Sequence, residues 1–243
     1  MTTQSLAPLS LMLRHVEALF THTSDSRLLT VNDGSDTPAP RFFLGRTSDG
    51  IVQRFAAGLP EAMIDELGRI GADERPIDSN NLKLPVGHDQ YARLLALSHP
   101  TSRVEAGPCY WLPSGVAPKY NRQELQGDIC LVNETNSGVL TAHMSDWLDA
   151  LDWQPIVAVL HEGNAVSVCA SVRRTAAAHE AGVKTAPAFR RRGFARHAVI
   201  AWLSEVDRLG VTRLYSTSWE NAASRALAVT LGLEMFGVNF HIT

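Results

Sequence analysis

Apolar and polar positions follow different rhythms in the two halves of the chain. From Pro155 onward the rhythm is regular. Ile156–Leu160 and Ala165–Val172 are β-rich runs joined by His161-Glu162-Gly163-Asn164, which predicts a tight hairpin. The second run alternates, with Val166, Val168, Ala170 and Val172 on one expected face and Ser167, Cys169 and Ser171 on the other. A strand is predicted to end at Thr185. After it, Ala195, Ala198, Val199, Trp202, Leu203, Val206 and Leu209 recur at helical spacing, with Arg196, His197, Glu205 and Arg208 opposite and Gly210 as the stop. Arg213–Ser218 reads as a further strand, Trp219-Glu220-Asn221 as a turn, and Ala222–Leu231 as a helix ended by Gly232. Phe236, Val238, Phe240 and Ile242 then keep a period of two in a closing strand.

The first half is less regular. Leu9, Leu13, Val16, Leu19 and Phe20 predict one apolar side of an opening helix, and residues 32–40 read as a loop. Arg41–Arg46 and Ile51–Phe55 flank Thr47-Ser48-Asp49-Gly50 as a second hairpin. Pro60 opens a helix with Met63, Ile64 and Leu67 inward and Gly71 at its close, and His88–Ser98 reads as another with Tyr91, Leu94 and Leu95 inward. Gly107–Pro113 reads as a short strand between prolines, Ile129–Val132 as a strand, and Ser145 as the N-cap of a helix over 146–152. The expected division is an N-terminal α+β region over 1–106 and a second domain over 107–243.

Composition narrows the partners. The 243 residues are 45% hydrophobic and 19% charged, which describes a globular chain with ample core material. A formal net charge of −3 argues against nucleic acid as a partner. Leu6–Phe20 is leucine-rich, but Pro8, Arg14, His15 and Glu17 interrupt it, and no stretch reaches membrane-spanning length. Cys109, Cys130 and Cys169 show neither metal-ligand spacing nor an even disulfide framework, so no metal is expected and the expected setting is cytoplasmic. His15, His22, His88 and His99 are scattered without ligand spacing.

Candidate chemistry concentrates between Val183 and Ala195. A strand runs into a turn with three consecutive arginines, Arg190, Arg191 and Arg192, and a helix opens behind it. Unpaired N–H groups and the positive end of the helix dipole favour an anion at such a start. Gly193 has no Cβ to keep a phosphate away, and Ala195 keeps the approach open.

The pattern Arg190-x-x-Gly193-x-Ala195, between Pro187 and an amphipathic helix, resembles the acetyl-coenzyme A signature of the GNAT family of N-acetyltransferases. The order of elements from Pro155 to Thr243 is similar to that family's core, and Asn221 and Gly232 fit its Asn-headed helix. The resemblance implies an α/β (α+β) fold: a mixed, mostly antiparallel central sheet flanked by helices, with the N-terminal part added. It implies acetyl-CoA as cosubstrate and direct transfer to a primary amine of a small molecule or peptide. The strand at Val183, Lys184 and Thr185 would splay from its neighbour and pair with the pantetheine arm. The turn Arg190, Arg191, Arg192, Gly193, Phe194 and Ala195 would take the diphosphate, and Asn221 would bond near the thioester or simply cap its helix. A backbone N–H at or near Val183 would be the oxyanion donor.

For the general base the candidates are Glu180 and His179, which alternation turns to opposite faces, with Glu180 preferred. The sequence departs from the family at Ala228, where many members place a tyrosine that protonates the leaving thiolate. Tyr215, Ser216 or Ser218 could stand in. The departure keeps open a second reading, a non-catalytic coenzyme A-binding sensor or interaction module. The N-terminal region completes the acceptor site, forms a homodimer contact or extends the core; its sequence does not choose.

Overall fold

The structure, a computed structural model, describes residues 6–78, 82–100, 103–119 and 127–243. The chain divides into two compact units that interleave rather than following the linear 106/107 division expected. Of the described residues, one comprises those within 111–215 and 226–234, the other those within 6–110, 216–225 and 235–243.

In the first unit five strands lie in the order β10-β9-β8-β7-β6, where β6 is Asp128–Val132, β7 Ile156–His161, β8 Asn164–Arg174, β9 Ala178–Thr185 and β10 Thr212–Ser216. All neighbours are antiparallel except β9 and β10, which are parallel. The β7–β8 loop is two residues, Glu162 and Gly163, with φ of 51° and 77°. Two positive φ values match the right-handed twist of the flanking strands, as the sequence predicts.

The alternation of β8 does not separate core from solvent. Ala165 to Ser171 are all fully buried, because both faces of the strand are covered. On the face of Val168 and Ala170 pack Leu140, Met144, Trp147 and Ala150. On the opposite face Trp202 of the helix α4, Phe194–Arg208, donates its indole N–H to Ser171 at 3.1 Å. Ser145 is not an N-cap. A 3-10 helix spans Ser145–Ala150 and no side chain caps it.

Helix α4 buries Phe194, His197, Ala198, Val199, Ile200, Trp202, Leu203 and Val206. Leu209, expected inward, is 57% exposed, and His197, expected outward, is buried. Covering a sheet takes a broader stripe than the expected face provides. Gly210 ends the helix with a φ of 71°. Behind α4, Arg213 of β10 is 2% exposed and donates to the carbonyls of Leu112, Leu203, Pro113 and Val116, with Asp207 at 3.3 Å.

In the second unit β4-β3-β11-β5 is the strand order, with β3 at Phe42–Thr47, β4 at Gly50–Phe55, β5 at Val104–Leu112 and β11 at Glu234–Ile242. Helices α2, Glu61–Ala72, and α3, His88–Ala96, supply Leu67, Ile70, Tyr91 and Leu95 to a core with Phe42, Leu44, Phe240 and Ile242. Phe42 and Tyr91 pack with ring centroids 4.6 Å apart. Helix α1, Pro8–Leu19, buries Leu11, Met12, His15, Val16 and Ala18, so the expected Leu9/Leu13 face is displaced and Leu13 is 39% exposed. A small sheet of β1, Phe20–His22, and β2, Leu28–Val31, was not expected from the sequence. Strand β5 starts at Val104, three residues before the Gly107 expected, and runs through Pro108. Proline removes one donor, while the Pro108 carbonyl still accepts the Thr217 N–H at 3.3 Å.

Candidate functional site

Strand β9 is bordered differently along its two edges. Toward β8 it is paired along its length, from Arg174↔His179 to Ser167↔Thr185. Toward β10 the pairing covers only Thr212↔Ala178, Arg213↔His179 and Leu214↔Glu180. Past Glu180 the two parallel strands part.

The direction of each backbone group on β9 follows from the register. Ala186 donates to Val166 at 2.9 Å, which makes Thr185↔Ser167 a non-hydrogen-bonded pair of the antiparallel ladder. By alternation Lys184 and Gly182 bond to β8, whereas Thr185, Val183 and Ala181 point their N–H and C=O toward the edge that β10 has left. Lys184, expected among the open positions, has its backbone turned to Val168, and its ammonium pairs with Asp146.

Side chains alternate in the same way. His179 faces α4, where its Nδ1 lies 2.9 Å from Ser171 Oγ. Burial lowers its pKa, and Arg174 lowers it further. Glu180 falls on the opposite face, with Gly182 and Lys184. A bulge in β8 between Ser171 and Arg173 interrupts the register beside it. Gly182 is required there, since a Cβ would lie 2.2 Å from Val172 Cγ1. Cys169 is buried and its thiol is pushed well up by burial, which suits a packed residue.

At the end of β9 the chain makes a 3-10 turn, Pro187–Phe189, and then the arginine segment. Arg191 has a φ of 60° and Gly193 a φ of 84°. Left-handed residues near one another turn successive N–H groups into one concavity, the geometry of an anion nest. Among the described residues no side chain caps α4, whose first-turn N–H groups lie beside Gly193.

The arginines are not equivalent. All three are exposed. Arg190 Nε donates to the Thr185 carbonyl at 3.3 Å, bracing the turn. Arg192 lies over the rings of Phe189 and Phe194, 5.3 and 5.2 Å from their centroids. His161 completes that platform, 5.5 Å from Phe189 and 6.0 Å from Phe194. Its place could have been read only from the hairpin register, which brings the end of β7 beside the turn.

Of the remaining sequence candidates, Ser216, Ser218 and Asn221 lie in the second unit, and Tyr215 and Ala228 in the first. Asn221 Oδ1 accepts the Ser224 N–H at 3.1 Å, so it caps α5, Ala222–Leu231. Ser218 lines a cleft with Trp219 and Glu220. Ala228, further along α5, is fully buried. Among the described residues there is no group of side chains able to hold a metal ion, and no helix is long and apolar enough to cross a membrane.

The parts therefore follow in a fixed order, an open parallel edge and then an anion nest at a helix start. Residues 144–237 match the family model described as GNAT acetyltransferase. A comparison with curated proteins finds no match. Among solved structures the chain is similar to a GCN5-related N-acetyltransferase-like protein from Streptococcus suis 89/1591, at 15% identity over 84% of this chain and 85% of that one, with a TM-score of 0.48. It is similar to an acetyltransferase from the GNAT family of Colwellia psychrerythraea at 12% identity over 100% and 99% of the two chains, with a TM-score of 0.45. A GCN5-related N-acetyltransferase from Sphaerobacter thermophilus matches at 14% identity over 64% of this chain, with a TM-score of 0.46, and the match spans only 56% of that protein.

Proposed function

We propose that the first unit binds acetyl-CoA and that the protein is an N-acetyltransferase passing the acetyl group directly to a primary amine of a small molecule or peptide. One observation carries this reading: Val183 and Thr185 direct backbone groups at an edge left open by β10, and the nest of Arg191 and Gly193 follows within one turn. An open strand edge suits the amides of a pantetheine arm, which need a donor and an acceptor at strand spacing. The nest and the first turn of α4 suit a diphosphate, with Arg190 and Arg191 adding charge at its rim.

The cosubstrate, when bound, supplies an acyl group activated by a thiol leaving group. Val183 N–H donates to the acyl oxygen, and does so more strongly as negative charge gathers there. Glu180 takes the proton released by the attacking amine. It sits three residues from Val183, about 10 Å along a strand, so the proton reaches it through water. His179 is a positioning residue for β9, held by Ser171 on the α4 face. A thiolate with an ordinary pKa near 8.5 leaves readily at neutral pH, so no buried hydroxyl is needed. The cytoplasmic setting belongs to the same reading, supported by three cysteines that form no disulfide.

A second reading, a coenzyme A-binding sensor or interaction module without turnover, is favoured by the burial of Ala228, which offers no O–H where the resemblance puts a tyrosine. Thiol release from acetyl-CoA, measured across amines, aminoglycosides, amino acids and peptides, separates the two. Release with any acceptor establishes the enzyme; tight acetyl-CoA binding with no release across the panel establishes the sensor.

A further inference from the structure

Ser218 belongs to a cleft that the acyl-transfer reading leaves unused. The cleft measures about 600 Å³ and is lined by the start of β5, by residues 218–220 and by Lys83 and Leu84. That is within the range of about 300–1,000 Å³ typical of small-molecule sites. Its walls are held together. Trp219 N–H donates to the Ala106 carbonyl at 3.1 Å, and Thr217 N–H to that of Pro108 at 3.3 Å. The close approach requires Gly107, where a Cβ would lie 1.7 Å from the Thr217 oxygen.

Both signs of charge line the cleft. Glu105 is fixed between Arg103 at 2.7 Å and His241 at 2.8 Å. The His241 hydrogen bond, with His241 and Arg103 charge, holds its carboxyl below the usual range. Glu105 and Arg103 therefore largely satisfy one another. Lys83 and Glu220 are exposed and form no ion pair with any described residue. Between these polar groups the lining is apolar: Val104 and Leu84 are 50% and 46% exposed, and the Trp219 ring is steadied by Arg225 at 5.9 Å. A simple anion entering would meet Glu220, and a simple cation would meet Lys83.

We propose that this cleft binds a small zwitterion of the amino acid class, its ammonium on Glu220, its carboxylate on Lys83 and its carbon chain on Trp219. The site stands on the second unit alone and does not depend on acyl transfer.

Ligand-observed NMR titration of the full chain tests it with 4-aminobutyrate, 6-aminohexanoate and L-leucine, each against the amine and the acid of the same carbon chain. At least one amino acid should bind about fivefold or more tightly than both of its singly charged analogues, since each exposed ion pair contributes modestly. Lys83→Gln and Glu220→Gln should each reduce that affinity to the level of the analogues, with the thermal midpoint unchanged. Binding absent for all three amino acids, analogues that bind equally well, or both variants binding as the parent does, would overturn the proposal.

Discussion

His179 and Trp202 meet on a single oxygen atom. The Trp202 indole donates to Ser171 Oγ at 3.1 Å, and His179 Nδ1 lies 2.9 Å from the same oxygen. Through this hydroxyl α4 is fastened to β8 and β9 just before β9 opens toward the candidate site. Trp202→Phe keeps an aromatic ring but removes the indole N–H that Ser171 accepts and leaves a small cavity at a fully buried position. It should lower stability by about 1–2 kcal/mol, read by denaturant unfolding.

The same histidine gives a pH dependence. Burial holds His179 below its ordinary value, and burial does the same to His22 despite the opposing charge of Glu17. The unfolded chain therefore takes up protons at a higher pH than the folded one. Stability should be fully present above about pH 6.5 and fall as pH drops below it, by up to about 1.4 kcal/mol per pH unit per histidine. His179→Gln should flatten the slope if it folds, and unfolding curves between pH 7.5 and 5 measure it.

Arg213 predicts a large effect far from any chemistry. Its guanidinium satisfies four carbonyls and Asp207 while 2% exposed. Arg213→Met would orphan those acceptors and should cost about 3–5 kcal/mol. Asp207→Asn, which leaves the carbonyl cage in place, should cost less.

Glu180→Gln should slow turnover by about 10²–10⁴-fold if Glu180 receives the amine proton. The affinity for acetyl-CoA should not change, because the carboxyl lies on the side chain face and not at the backbone edge. Turnover and calorimetric titration of the same variant read the two effects apart.

Much of the first unit was legible because its signals are local. Glu162-Gly163 demands positive φ, so the hairpin and its register follow from two residues. Gly193 and Gly210 bracket α4 for the same reason. What escaped depends on partners distant in sequence. Alternation puts Ser167, Cys169 and Ser171 on one face of β8, but it does not say that α4 covers that face. Leu9 and Leu13 lost the core to Leu11, Met12 and His15, because what α1 packs against decides which stripe is buried. Strands β1 and β2 carry polar threonines, and Thr21 and Thr30 bond to each other at 2.7 Å, a pairing no periodicity announces. At the site, the arginine turn could be read from sequence. The open edge was expected only through the family resemblance, and the exclusion of Lys184 from it could not be read at all, since it follows from the register with β8.

In the proposed function the Val183 and Thr185 amides receive the arm of the cosubstrate and the nest at Gly193 receives its diphosphate. Gly193→Val should weaken coenzyme A binding about tenfold or more, through the cost of a β-branched residue at positive φ and the bulk placed in the nest.

Amide hydrogen exchange with and without saturating acetyl-CoA is the most direct measurement. Binding should slow exchange at Ala181, Val183, Thr185 and residues 193–196 and leave Gly182 and Lys184, already bonded to β8, little changed. Acetyl-CoA binding that leaves the Val183 and Thr185 amides exchanging at their original rates would contradict the proposed function.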